Sequence, residues 1–269
     1  MRNQFFRFSM LCVALVFVSV TLTNLSYALS VSKDEVVAVW LFDEGKGETI
    51  KDSSGNGNDA TFGMGNPAWV DGKFGKALKF NGTKDWAETA KPVVVDNKTF
   101  TMGCWANPIA KQKAWSNMIS SHLEPPRRGI SFEQKDKKHN LYGLALGDGK
   151  NWGAPDEFGV QIEANKWNHM VVVRDGSTGY WYLNGKEVQK IKFAHDRAVH
   201  PTDKNFRFGN WVNGGREWGG ILDDVFIFKR ALNAAEVATV HKAGIGGTAT
   251  PVDPKGKVST YWSEIKSIY

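Results

Sequence analysis

Hydrophobic and polar positions along residues 29–244 form short runs of β-branched and aromatic residues, each bounded by Gly, Asn or Asp. Residues 36–42 (VVAVWLF) are such a run. In 76–80 (KALKF), Leu78 and Phe80 share one face and Lys79 takes the other, the period of two expected of a strand. Residues 100–105, 170–174, 180–183 and 225–228 read as further strands. After 180–183 come Asn184-Gly185 and then 186–188. Asn-Gly between two strand-like runs predicts a hairpin, because a type I′ turn needs positive φ at both central positions. Helical punctuation is found once. Asn233 stands as N-cap, Glu236 follows three residues later as a capping box requires, His241 and Lys242 fall at the end, and Gly244 stops the run. This preponderance of strands excludes α/β and helix-bundle architectures.

The two ends of the chain have a different texture. Arg2 and Arg7 precede an apolar stretch at 10–22, too short to span a bilayer comfortably, and Ser26-Tyr27-Ala28 is a small-x-small cleavage site. Residues 1–28 are therefore read as a signal peptide, with an uncleaved anchor as the alternative. Either reading makes the rest of the chain exported, secreted or extracytoplasmic. No later stretch is apolar enough to insert into a membrane. At the other end, 246–254 is a linker by composition and 245–269 a linker and tail. Trp262, Ile265 and Tyr269 in that tail fall at the spacing of a small docking helix; a frayed end is the alternative.

Composition narrows the picture further. Cleavage after Ala28 leaves 241 of 269 residues, within the range of one β-sandwich domain, and lowers the net charge from +6 to +4 as Arg2 and Arg7 depart. Lys and Arg are scattered, and the clusters Arg127-Arg128 and 135–138 suit solvated loops, so nucleic acid is not an expected partner. Cys12 leaves with the signal, so Cys104 is alone, no intrachain disulfide can form, and stability must come from the core.

Several motifs in order carry a family resemblance. They are residues 40–45 (WLFDEG), 75–82 (GKALKFNG), 100–108 (FTMGCWANP), 167–173 (WNHMVVV), 180–185 (YWYLNG), 206–209 (FRFG) and 220–232 (GILDDVFIFKRAL). Together they resemble the laminin-G-like, concanavalin A-like jelly-roll domains, over about residues 36–244. The resemblance implies an all-β fold, a two-sheet antiparallel jelly-roll β-sandwich with one short helix near the C-terminal end of the domain, at 29–244. It implies that the first and last strands are neighbours and that Trp167 and His169 are structural. It also implies a structural Ca²⁺ where those strands meet. A hard cation wants six to eight oxygens, and Asp43, Asp52, Asp223 and the carbonyl around Gly82 are the expected ligands, with Glu44 nearby. Asp52 has an alternative role in capping its own turn. Asp224 lies on the opposite face of the strand from Asp223 and is read as a partner of Arg230 or Lys229.

All eleven Trp lie after the signal. Trp40, Trp69, Trp105, Trp167 and Trp181 sit at strand-like or family-matched positions and are assigned to the core. Others lie in polar, Gly-rich loops. Sugars stack apolar faces on aromatic rings, while amides and guanidinium groups read hydroxyls. Trp115, Asn151, Trp152, Trp211, Asn213, Arg216 and Trp218 are accordingly the candidate ligand site; rings that merely cover the sandwich edges are the alternative. Catalysis is not expected. Jelly-roll glucanases resembling this chain place paired carboxylates on one strand as Glu-x-Asp-x-x-Glu; here Glu133 and Asp136 are the nearest pair, at odd spacing. No nucleophile elbow, metalloprotease motif or phosphate loop occurs. The expectation is an exported, non-catalytic module binding a carbohydrate or glycoconjugate. A protein-interaction or adhesion module docking on a surface protein is the alternative, ahead of a divergent glycoside hydrolase using Glu133 or Glu217.

Overall fold

The computed structural model describes residues 29–251 apart from 96, 136, 137, 194 and 195. The expected signal peptide, Asp136 and the expected docking helix of the tail lie outside the described residues. The strands in chain order are β1 (Leu29–Val31), β2 (Val36–Trp40), β3 (Thr49–Ile50), β4 (Ala60–Met64), β5 (Ala68–Asp71), β6 (Lys76–Asn81), β7 (Trp86–Thr89), β8 (Thr99–Pro108), β9 (Asn117–Ser120), β10 (Ile130–Gln134), β11 (Leu141–Leu146), β12 (Gly159–Gln161), β13 (Asn168–Asp175), β14 (Thr178–Leu183), β15 (Lys186–Lys192), β16 (Arg207–Phe208), β17 (Gly219–Phe228) and β18 (Ala249–Pro251). Two helices, α1 (Ala234–Ala243) and α2 (Ile245–Thr248), precede β18.

The front sheet runs β12-β11-β10-β9-β16-β7-β4-β3 and the back sheet β15-β14-β13-β8-β17-β6-β5, with β2 also pairing β17. One edge of β17 is shared. Its first half pairs with β6 (Leu222 opposite Leu78), and its second half with β2 (Val225 opposite Trp40). The first and last long strands are thus neighbours, as the resemblance implied.

Strand alternation builds two cores. Phe100, Met102 and Cys104 of β8, Ala38 and Trp40 of β2, and Leu222, Val225 and Ile227 of β17 face the front sheet, where Ile119, Phe132, Leu144 and Phe208 meet them. The alternate residues Val39, Val171, Val173, Phe226 and Phe228 turn outward and are covered by Val237 and Val240 of α1, Ile245, Leu29 and Val31. The middle of the back sheet is therefore buried on both faces, which is why β13 and β17 read as nearly continuous apolar runs rather than alternating ones. Cys104 lies in the first core, and burial pushes its thiol well above the usual range, leaving it inert.

Local signals behave as their chemistry dictates. Asn184 and Gly185 both hold positive φ (50° and 78°) in the β14–β15 hairpin. Asn233 Oδ1 accepts from the Glu236 amide (3.0 Å), and Glu236 Oε2 accepts from the Asn233 amide (2.8 Å). The stretch after Gly244 continues the fold further than its composition predicted: α2 packs Ile245 into the second core, and β18 pairs in parallel with β1.

Candidate functional site

The face of the front sheet turned away from the core carries a cleft of about 370 Å³. On β10 the period of two sends Phe132 into the core and Ser131 and Glu133 to this face. Glu133 lies opposite Gly143 of β11. A Cβ at Gly143 would fall 1.9 Å from Cε of Lys135, so the missing side chain is what lets the Lys135 stem lie across the sheet. The loops before β9, before β12 and before β17 close the sides with Trp115, Trp152 and Arg216.

The walls of this cleft are held by a ring stack that no single segment supplies. His122 is fully buried, with Trp152 edge-on at 5.3 Å and Trp211 tilted at 5.7 Å between centroids. Arg127 stands 5.8 Å from the Trp152 ring, and Arg216 lies 4.3 Å from the Trp211 ring. Trp211 Nε1 donates to the His122 carbonyl at 2.9 Å. His122 Nδ1 lies 3.0 Å from Ser131 Oγ and 3.9 Å from Glu133 Oε2. Burial, with the charge of Arg216, lowers its pKa to about 3 and keeps the ring neutral.

Glu133 is the chemically distinctive group. Burial raises its pKa to about 7, against the pull of Lys135 and Arg216; Glu124 and Asp156 push the same way as burial. Its Oε2 is buried and accepts no hydrogen bond among the described residues. Trp115 differs from the other rings. It is 39 % exposed and holds φ +59°, a left-handed backbone uncommon for a bulky residue, with its carbonyl fixed by Asn117 Nδ2 at 2.7 Å.

The candidate ligand residues thus separate. Trp115, Trp152 and Arg216 line the cleft, and Trp211 lies beneath Arg216. Asn151 and Asn213 are exposed on neighbouring loops and do not line it. Trp218 is not a rim residue: it is fully buried in the first core, and its Nε1 donates to Tyr142 Oη at 2.7 Å. Among the expected core rings, Trp40, Trp105 and Trp181 are buried, and Trp69 and Trp167 half-buried. Glu217 pairs with Lys113 outside the cleft. His169 is a buried ring packed 5.0 Å from Trp105, and burial, with His241 nearby, lowers its pKa to about 3, as a structural residue requires. Sequence reasoning missed His122, Lys135, Glu124 and Asp156, whose approach depends on strand register and loop paths.

Of the expected Ca²⁺ ligands, Asp43 and Asp223 meet at one turn, and Asp223 Oδ1 is buried with no hydrogen-bond partner among the described residues. Asp52 is spent on its own turn: Oδ1 accepts from Val39 N (3.1 Å), Ser54 N (3.0 Å) and Ser54 Oγ (2.6 Å), and Oδ2 from Asn58 N (3.0 Å). Asp43 Oδ1 accepts from Lys76 N, and Asp223 Oδ2 from Lys73 and Phe74 N, so these two carboxylates cap opposite ends of the 72–76 turn. Gly82 abuts Gly219 on the β6–β17 seam. Among the described residues no three His, Cys, Asp or Glu are placed to hold a metal. Asp224 Oδ2 accepts from Ile245 N, and Arg230 pairs with Glu236 and Glu35.

Solved structures share this fold. Domain 4 of AbnA, a GH43 extracellular arabinanase from Geobacillus stearothermophilus solved with arabinotriose, is 22 % identical, with a TM-score of 0.61, covering 77 % of this chain and 98 % of that one. The binding domain of Paraclostridial Mosquitocidal Protein 1 is 19 % identical (TM-score 0.58, 78 % of this chain and 52 % of that one). The botulinum neurotoxin serotype G binding domain is also 19 % identical (TM-score 0.56, 77 % of this chain and 50 % of that one). The chain spans about half of each toxin domain. At these identities the likeness is one of fold. Residues 81–238, more than half of the sequence, match the family pattern itself: the chain belongs to the concanavalin A-like lectin/glucanases superfamily.

Proposed function

We propose that this protein is an exported, non-catalytic carbohydrate-binding module whose ligand enters the cleft between Trp115 and Trp152. The observation that carries this reading is Trp115. A large apolar ring stands in solvent on a left-handed backbone, beside a cleft whose floor has polar groups left over. Strain of this kind persists where the surroundings over-determine it, and such positions cluster at ligand sites. An exposed ring above hydrogen-bonding groups is what a sugar needs, with its apolar C–H face on one side and hydroxyls on the other. The arabinotriose in the AbnA domain 4 structure supports the same reading by likeness of fold. Export rests on the pattern of residues 1–28, and the non-catalytic reading on the lack of a paired-carboxylate strand motif.

The test is a glycan array probed with the secreted protein and with Trp115→Ala. Selective hits that vanish in the variant, without reducing-sugar release from the matching polysaccharide, support the reading. A blank array moves the function to a protein partner, and sugar release would make the module an enzyme.

A further inference from the structure

We propose that the cleft takes a sugar bearing a carboxylate, a hexuronate within a glycan, with Arg216 and Lys135 binding that carboxylate. This rests on the carbohydrate reading above and narrows it. Two cations in the cleft carry this inference by the way they are left. Four ion pairs elsewhere, Arg207–Glu88, Arg230–Glu236, Lys51–Asp59 and Lys76–Asp71, close to 2.8 Å. The pairs in the cleft do not. Arg216 Nη1 is 3.7 Å from Glu133 Oε2, Arg216 Nη2 is 3.7 Å from Glu124 Oε2, and Lys135 Nζ is 3.7 Å from Asp156 Oδ1. These separations lie outside the hydrogen-bond range. Among the described residues neither the Arg216 guanidinium nor the Lys135 ammonium donates a side-chain hydrogen bond, although their side chains are only 25 % and 11 % exposed.

Both heads are nevertheless fixed. Arg216 lies over Trp211, and the Lys135 stem lies across Gly143. The site is thus a set of pre-positioned donors with no acceptor of its own at bonding distance. Its nearest anions can yield: the Asp156 side chain is fully exposed, and Glu133, being buried, holds its proton to about pH 7 and then offers an O–H in place of a charge. A carboxylate accepts only, and its planar oxygens match the guanidinium fork. A neutral sugar would leave both cations without an anionic partner at bonding distance.

The experiment is calorimetric titration of the full chain with hexuronate tetrasaccharides (galacturonate, glucuronate, mannuronate) and with the same oligosaccharides after reduction of their carboxyls to alcohols. The expected result is at least one uronate bound roughly tenfold or more tightly than its reduced form, about 1.4 kcal/mol by the usual conversion. Lys135→Met, which keeps the stem over Gly143, and Arg216→Gln should each remove that preference, so that a uronate and its reduced form bind equally. The groups facing Glu133 are Lys135, Arg216, Glu124, Asp156 and neutral His122. A bound anion favours the protonated acid, so uronate affinity should fall as pH rises through about 7, and Glu133→Gln should flatten that dependence. Equal affinity for a uronate and its reduced form overturns the inference and leaves the carbohydrate reading standing. So does a preference for neutral or sulfated glycans on the array. A protein that binds none of the oligosaccharides and gives a blank array overturns both.

Discussion

Glu133 links the cleft to the stability of the whole domain, and that link can be measured without knowing the ligand. An ordinary Glu releases its proton near 4.5; in the folded protein burial moves this to about 7. At about 1.4 kcal/mol for each tenfold change in proton affinity, ionised Glu133 weakens the fold by about 3 kcal/mol. The sign follows from the order of release. Below pH 4.5 the folded and unfolded chains both hold the proton, and Glu133 detracts nothing. Between 4.5 and about 7 only the unfolded chain has released it, so stability falls with rising pH; above about 7 the loss is complete. Glu133→Gln removes this titration. The Gln amide has its own fixed penalty of about 1–3 kcal/mol if its N–H₂ finds no partner at the bare Oε2 position, so the sign of the difference at any one pH is not the test. The test is its slope: the stability of Glu133→Gln relative to wild type should rise by about 3 kcal/mol from pH 4 to pH 8. For a domain of this size that is roughly 6–12 °C in relative Tm. Asp223, pushed up by burial and the charge of Asp224, and His169, lowered to about 3 by burial, titrate in both proteins and cancel in the difference. Thermal melts of both proteins across this range, in sugar-free buffer, decide the matter. Parallel curves between pH 4.5 and 7 would refute the claim that Glu133 is buried at the base of the cleft.

Three further outcomes check other parts of the structure. Trp115→Ala should weaken glycan binding about tenfold or more while moving Tm by no more than about 2 °C, since the ring is exposed and its backbone strained; a large drop in Tm would make it a packing residue. Trp218→Phe should do the reverse, lowering stability by about 1–3 kcal/mol through loss of the bond to Tyr142 Oη, with glycan affinity unchanged; lost affinity at constant Tm would return Trp218 to the binding surface. Asp52→Ala should destabilise by about 3 kcal/mol or more, because it strands the buried amides of Val39, Ser54 and Asn58. Neither Ca²⁺ nor EDTA should change that deficit in denaturant melts, and a Ca²⁺-dependent Tm in wild type alone would show that Asp52 holds an ion.

What could be read from the chain, and what could not, divides by the range over which each signal acts. The Asn184-Gly185 turn and the Asn233/Glu236 capping box act within four residues, and both take the backbone their chemistry requires. The adjacency of β2 and β17 is a long-range pairing, legible only because the motif order resembles a known fold. Trp218 shows where composition misleads. Its Gly-rich, charged surroundings at 213–217 read as a loop, yet it stands one residue before β17 and its ring drops into the core beside Phe80. Trp115, in equally polar surroundings, goes the other way. Loop composition locates a ring in the chain and leaves open the side of the sheet on which it lands.

The cleft sharpens that point, since its chemistry depends on strand register. Glu133 faces Gly143, and Phe132 faces Leu144. A slip of one residue in β10 would turn Phe132 to solvent and Glu133 into the apolar core, exchanging every side chain of the strand between faces. Ile130, Phe132 and their partners Leu144 and Leu146 fix the register by burial, so the hydrophobic core decides which carboxyl floors the cleft. Arg216 reaches the same place from a loop more than eighty residues later, held by Trp211, which in turn is anchored to the carbonyl of His122. No local motif encodes such a set. It is specified by packing, and substitutions in the core behind β10 should therefore alter ligand affinity even though they touch no ligand.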